Sequence, residues 1–248
     1  MNERVQHCQE FENKKCDFPL SWSISPHLLY LAPDWLHWYY SQANVTGQDV
    51  FVLPPSGHLY AYPGMMQDDS VRKSFVESTQ EDCNLLTATG SVHWEWFYGW
   101  TSAFNNYFPE YSIPAADYSN GNDNSNFCVR SFFATNVPYN FYPNPIEWPL
   151  TEHFRVVEGD VIVFKPREWR GTNADGAPIF GENNYLTETE MAAEINGYKK
   201  GTVSHLYLTS DGGMNLGTLY KMVAMLDDHV KVVNHEELTE MARQKVLT

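Results

Sequence analysis

The strongest constraint on the fold is an alternation along the chain: short, wholly apolar runs of about four residues separated by segments with helical periodicity. The runs Val50-Phe51-Val52-Leu53 and Val161-Ile162-Val163-Phe164 have no polar face, as expected of strands buried on both sides. Between them, Asp69 to Leu86 has helical spacing, with Val71, Phe75, Val76 and Leu85-Leu86 as its apolar positions. Parallel strands need a crossover that a helix supplies. The pattern therefore predicts an α/β domain with a mostly parallel sheet covered on both sides, either an open doubly wound sheet or a closed barrel.

Local signals divide the rest. Leu20 to Ile24, Val92 to Phe97, Val129 to Phe133, Val203 to Leu208 and Val230 to Val233 are predicted strands, and Ile113 to Ala116 is a weaker one. Ser25-Pro26 opens a helix with Leu28, Leu31, Trp35 and Trp38 at helical spacing, which Pro33 should kink or split. Gly90 is read as closing the 69–86 helix. Thr187 with Glu190 forms a capping box, Leu216 to Leu226 shows an i, i+3, i+4, i+7 stripe, and Asn234 with Glu237 caps a last helix. Tyr118 to Asn126 is a loop on composition. Residues 1–18 are read as an extension, and 19–248 as one domain.

Charge narrows the partners. Sixteen Lys and Arg against 31 Asp and Glu give a formal net charge of −15. That field repels phosphate backbones and anionic lipid, so nucleic acid and membrane surfaces are poor partners. No apolar run approaches the roughly 18–20 residues of a membrane span, and the N-terminus has no signal-peptide core, which predicts a soluble chain. Cys8, Cys16, Cys83 and Cys128 have no metal-binding spacing. Four reduced thiols is the plainer reading. The alternative is a Cys8–Cys16 bridge in a secreted protein, with Asn44-Val45-Thr46 as a glycosylation acceptor.

Catalysis in parallel α/β folds sits at the carboxyl ends of the strands. Acids recur at those predicted ends: Glu95, Asp117, Glu168, Asp211 and Glu236. Trp22, Tyr60, Tyr62, Trp94 and Trp169 accompany them, in a chain whose aromatic share is 15%. Rings with a polar edge stack on the C–H faces of sugars, and paired carboxyls hydrolyse glycosidic bonds. Each acid also has a plainer reading; Asp211 and Glu236 suit helix N-termini. Tyr60 and Tyr62, two apart on an extended stretch, point the same way and suit either packing or ligand contact. Trp22 and Trp169 suit core or groove. There is no G-x-S-x-G elbow, Walker loop, G-x-G-x-x-G or H-E-x-x-H motif, so no cofactor or metal is expected. Asp117, Ser119 and Gly121 begin like a calcium loop, but Cys128 stands where the closing Glu belongs.

The segment Pro19 to Pro26, Asp49 to Val52 and Ser56-Gly57-His58-Leu59-Tyr60-Ala61-Tyr62-Pro63 resembles the GxGYxYP family of putative glycoside hydrolases. Gly57, Tyr60, Tyr62 and Pro63 match the motif, and Leu59 replaces its second glycine. The resemblance extends to Val161–Trp169 and Val230–Leu238. It implies an α/β barrel of seven or eight parallel strands, of the glycosidase/deacetylase type, acting on carbohydrate in exported proteins. It also implies that this chain lacks an N-terminal barrel strand that longer family members carry. The site expected is Asp117 paired with Glu168 or Asp211, with Trp22, Ser56, His58, Tyr60, Tyr62, Trp94, Glu95 and Trp169 on the substrate. The alternative function is a carbohydrate-binding or scaffold protein that keeps the fold without the chemistry.

Overall fold

The computed structural model describes residues 1–10, 16–96, 98–111, 129–135, 148, 152–157, 161–171, 183–209 and 214–247. In chain order the elements are α1 (Asn2–Gln9), β1 (Ser21–Ser23), α2 (Leu28–Leu31), α3 (Pro33–Thr46), β2 (Val50–Val52), α4 (Asp69–Leu86), β3 (Gly90–His93), α5 (Trp100–Ser102), α6 (Phe108–Glu110) and β4 (Ser131–Ala134). They continue as β5 (Phe154–Val157), β6 (Val161–Phe164), β7 (Arg167–Trp169), α7 (Glu188–Asn196), β8 (Leu206–Leu208), α8 (Leu216–Val223) and α9 (His235–Leu247). A 3₁₀ turn at Pro63–Met65 and a π-helical turn at Ala103–Tyr107 complete the list.

Pro33 does split the first helical segment: α2 ends at Leu31, and Pro33 opens α3 at a position where its missing N–H costs nothing. The Thr187–Glu190 capping box forms in both directions at the start of α7. Asn234 Oδ1 accepts from Glu237 N–H at 3.0 Å at the start of α9. Helix α4 ends at Thr87, which takes the left-handed conformation (φ 49°), while Gly90 opens β3 instead of closing the helix. The buried face of α4 is also rotated from the expected one. Phe75, Val76, Thr79, Asp82, Cys83 and Leu86 are buried, whereas Val71 and Leu85 are exposed.

The strands form a two-stranded parallel sheet β1-β2, a four-stranded sheet in the order β3-β4-β6-β5, and a two-stranded parallel sheet β7-β8. A parallel bridge between Leu53 and Ser91 joins the first two sheets. This overturns the expected barrel: among the described residues the sheets are small and separate, and no ring of strands closes. Two features stop it. Strand β5, unforeseen in the sequence, pairs antiparallel with β6 and occupies the edge where a next parallel strand would add. In addition, Val230 to Val233 joins no ladder, so the last predicted strand is absent. The Ile113–Ala116 and Tyr118–Asn126 readings lie outside the described residues.

Strands β2, β4 and β6, the apolar members of the parallel set, are packed on both faces, and β3 is buried between them. Phe51, Leu53, Phe132, Val161 and Val163 pack on one side with Phe75, Val76, Trp100, Tyr107 and Phe108. Val52, Val92, Phe133, Ile162 and Phe164 pack on the other with Leu238 and Ala242 of α9. Cys8 and Cys16 are joined by a disulfide, and Cys83 is also disulfide-bonded, so the reduced-thiol reading gives way for the described cysteines. Arg4 ties α1 to the body. Fully buried, it holds both Asp49 oxygens, at 2.9 and 3.1 Å, and donates to Phe18 O and Tyr220 Oη.

Candidate functional site at the carboxyl edge of the parallel sheet

Because β1, β2, β3, β4 and β6 run in one direction, their carboxyl ends share one edge. Two loops meet there. The loop after β2 carries the Ser56–Pro63 motif, and the stretch after β3 carries Trp94-Glu95-Trp96. Ser56 locks them together: its Oγ lies 2.9 Å from the carbonyls of both Ala61 and Trp94 and accepts from Trp94 N–H at 3.1 Å. Fully buried, Ser56 fixes loop geometry and has no surface for a ligand. Tyr107 Oη, from the π-helical turn, donates to Ser56 O at 3.3 Å from below.

The loop is seated on α4. Gly57 has φ +109°, and a Cβ there would lie 2.6 Å from Thr79 Cγ2, so only glycine fits the first motif position. Leu59, in place of the second motif glycine, has no positive φ, and its side chain is exposed. The backbone here does not need glycine. His58 N–H donates to Thr79 Oγ1 at 3.1 Å, and His58 Nδ1 lies 2.6 Å from Asp82 Oδ2. Asp82 is buried and the imidazole one-third exposed, so the carboxylate fixes which ring edge faces outward. A polar pair, Thr79 and Asp82, on the buried stripe of α4 was the signal in the sequence that could have found this seat.

The motif tyrosines and the two tryptophans form one connected ring cluster. Tyr60 contacts Trp94 at a centroid distance of 5.7 Å and Tyr62 at 5.8 Å, and Tyr62 contacts Trp96 at 6.3 Å. Tyr60 and Trp96 are 60% and 49% exposed, and Tyr62 and Trp94 are half-buried. The Tyr60 and Tyr62 hydroxyls are 3.1 Å apart, and that bond pushes the Tyr60 pKa up to about 12. Tyr60 is thus a neutral phenol at ordinary pH, able to donate and to accept. Trp96, outside the expected contact set, belongs to this cluster.

Glu95 lies beneath the rings with its carboxylate fully buried. Its Oε2 accepts from Gly64 N–H at 2.7 Å, and its Oε1 from Trp96 N–H at 3.2 Å. A Cβ on Gly99 would come within 2.4 Å of Oε1, and one on Gly64 within 2.8 Å of Oε2. Two glycines therefore shape the niche that holds this acid. His93 Nε2 is 3.3 Å from Oε2 but off the line of a hydrogen bond, and among the described residues neither ring nitrogen has a hydrogen-bond partner. Burial among Trp100, Tyr107, Phe108 and Phe132 lowers the His93 pKa against the pull of Glu95, keeping the ring neutral. Glu95 positions the Trp94–Trp96 stretch; it does not face solvent.

The other expected residues lie elsewhere. Trp22 packs against the core, its indole N–H donating to Asp49 Oδ2 at 2.9 Å, and Asp49 precedes β2 at the opposite edge of the sheet. Trp169 is fully buried and donates to Leu186 O at 2.8 Å. Glu168, mid-strand in β7, is buried and 3.4 Å from Arg170 Nη2. Glu236 accepts from Thr89 Oγ1 at 3.1 Å just before β3, at the amino edge. Asp117 and Asp211 lie outside the described residues. Among the described residues, no three His, Cys, Asp or Glu side chains converge as a metal-ligand group.

Fold and site together describe an α/β protein with an exposed aromatic surface at the carboxyl edge of its parallel strands. Residues 9–125, just under half of the chain, match the family model of the GxGYxYP putative glycoside hydrolase C-terminal domain. Among solved structures, a putative hydrolase from Bacteroides thetaiotaomicron VPI-5482 is similar, with a TM-score of 0.66 at 18% identity. The similarity covers 96% of this chain and 41% of that one, so this chain spans about two fifths of the neighbour's length. No curated protein matches the chain.

Proposed function

We propose that this protein binds a glycan on the Tyr60–Tyr62–Trp94–Trp96 surface and hydrolyses a glycosidic bond beside it. The observation that carries this reading is the ring cluster itself, placed where parallel α/β folds keep their chemistry. Tyr60 and Trp96 are about half exposed or more and are joined through Tyr62, which leaves ring faces of one connected cluster open to a ligand. The family match at residues 9–125 points to the same chemistry. His58, oriented by Asp82, supplies a polar edge on the same loop for a sugar hydroxyl.

Hydrolysis takes two carboxyls, one protonating the leaving oxygen and one attacking the anomeric carbon or activating water. We assign these roles to Asp117 with Asp211; Glu168, buried mid-strand in β7, is left out of the pair for the same reason as Glu95.

One observation favours a second reading, a carbohydrate-binding protein without turnover. Glu95, the acid nearest the rings in sequence, has both oxygens held by backbone N–H groups and no exposure, so it cannot take part in proton transfer to a sugar.

The experiment is a panel of neutral oligosaccharides scored for binding and for reducing-end release. The proposal expects both, with release abolished in Asp117→Asn or Asp211→Asn while folding and binding persist. Binding without release by the intact protein supports the second reading, and no binding to any glycan overturns both.

A further inference from the structure

One sequence motif plays no part in the ring cluster. Asn44-Val45-Thr46 is the single Asn-x-Ser/Thr triplet in the chain, the pattern that accepts an N-linked glycan. Such triplets also arise by chance, so the motif needs support from the structure. Two independent observations supply it. The first is redox. Cys8 is bonded to Cys16, and Cys83 is disulfide-bonded too, so every described cysteine is oxidised. Such bonds form and persist in oxidising compartments such as the endoplasmic reticulum lumen, where N-linked glycans are also added. The Cys8–Cys16 bridge lies beside the motif: Cys16 N–H donates to Thr46 O at 3.5 Å, and Gln48 Nε2 donates to Cys16 O.

The second is placement. Asn44 and Val45 are exposed on the last turn of α3, whose buried residues are Leu36, Ala43 and Thr46. Helix α3 leads through residues 47–49 into the amino end of β2, whereas Tyr60 and Trp96 lie beyond the carboxyl ends of β2 and β3. A sugar chain on Asn44 therefore stands at the opposite edge of the sheet from the candidate site and leaves that site open. Thr46 sets the order of events. It is fully buried, its Oγ1 donating to Ala43 O at 2.7 Å and accepting from Asp49 N–H at 3.1 Å. Glycan transfer requires that hydroxyl to be accessible in an extended segment, so the folded triplet is closed to it.

We propose that Asn44 carries an N-linked glycan, added in an oxidising compartment before α3 packs. The donor is an oligosaccharide joined to a lipid pyrophosphate. Its anomeric C–O bond to the pyrophosphate breaks, a C–N bond to Asn44 Nδ2 forms, Nδ2 gives up one proton, and the lipid pyrophosphate leaves. The proposal is independent of the carbohydrate-binding reading, because this glycan is a modification and not a ligand.

The test has two arms. In the first, the full chain purified from its own cells is digested with and without prior treatment by peptide N-glycosidase F, and the peptide spanning Asn44 is followed by mass spectrometry. The expected result is that the peptide appears at its simple mass only after treatment, with Asn44 converted to Asp. Recovery of the peptide with Asn44 intact from most of the untreated protein overturns the proposal.

In the second arm, unglycosylated full chain is offered to solubilised microsomal transferase with its lipid-linked donor, either native or reduced and alkylated. The unfolded chain should accept the glycan, seen as a loss of gel mobility that Asn44→Gln abolishes and Thr46→Ser retains. The native chain should not accept it. Transfer to the native chain overturns the order of events, and no transfer to the unfolded chain overturns the site.

Discussion

Replacing Gly64 with alanine tests how the site is built around Glu95. The new Cβ would lie 2.2 Å from Gly99 O, a backbone atom, and 2.8 Å from Glu95 Oε2. Neither partner can retreat easily. Gly99 itself abuts Glu95, and the carboxylate is fully buried. Relief requires the Pro63–Met65 turn to move, which lengthens the 2.7 Å bond from Gly64 N–H to the carboxylate. Overpacking of this kind costs about 1–3 kcal/mol, and loss of a hydrogen bond to a buried charge about 1.5–3 kcal/mol. Together these predict a destabilisation of about 3–5 kcal/mol, or a fall in Tm of roughly 6–20 °C for a chain of this size. Urea denaturation of both proteins measures it. Gly201→Ala is the control, because its Cβ would meet nothing within 4 Å and only its φ of +86° is strained; about 1 kcal/mol is expected there. A Gly64→Ala protein within about 1 kcal/mol of the parent would refute the idea that the two glycines define the Glu95 niche.

Three further outcomes follow from the structure. His235 is buried and His205 half-buried against Phe133 and Phe164, and desolvation pushes each pKa down to about 3, with His235 adding to the effect on His205. The unfolded chain protonates them below about pH 6.5 and the folded chain does not, so stability falls as pH drops from 6.5 towards 3, by about 2 kcal/mol each between pH 7 and 5. Assigned His205 or His235 imidazole resonances that titrate above pH 5 in the folded protein would contradict this. Arg4→Met strands the buried Asp49 carboxylate and should cost about 3–5 kcal/mol by urea denaturation; a loss below 1 kcal/mol would show that α1 is held by other contacts. Cys8→Ser opens a loop of sequence separation 8 and should cost about 2–3 kcal/mol, and a parent protein whose melting is unchanged by reductant would argue against the bridge.

The sequence made the strand cores and helix starts plain because each depends on neighbours. Val161–Phe164 has no polar face, and Thr187 and Glu190 cap α7 from three residues apart. Sheet closure depends on distant partners, and no local pattern announced that β5 would take the free edge of β6. Val230–Val233 has strand composition but finds no ladder; Val232 and Val233 pack partly buried against the core, so the composition there recorded packing and not pairing. The site follows the same rule. Tyr60, Tyr62, Trp94 and Glu95 were legible because two strand ends bring two short segments together. Asp82 was hidden, 24 positions from His58 and on a helix whose buried face had been read one notch off. Trp22 and Trp169 look alike in the sequence as strand aromatics, and only their indole partners, Asp49 and Leu186 O, place them in the core.

A crystal structure of the protein soaked with a soluble neutral oligosaccharide found by the binding screen tests the central claim most directly. The account predicts sugar rings stacked on Tyr60 and Trp96, with hydroxyls within hydrogen-bond reach of the Tyr60–Tyr62 pair. Sugar density at any other surface, with those four rings bare, would contradict it.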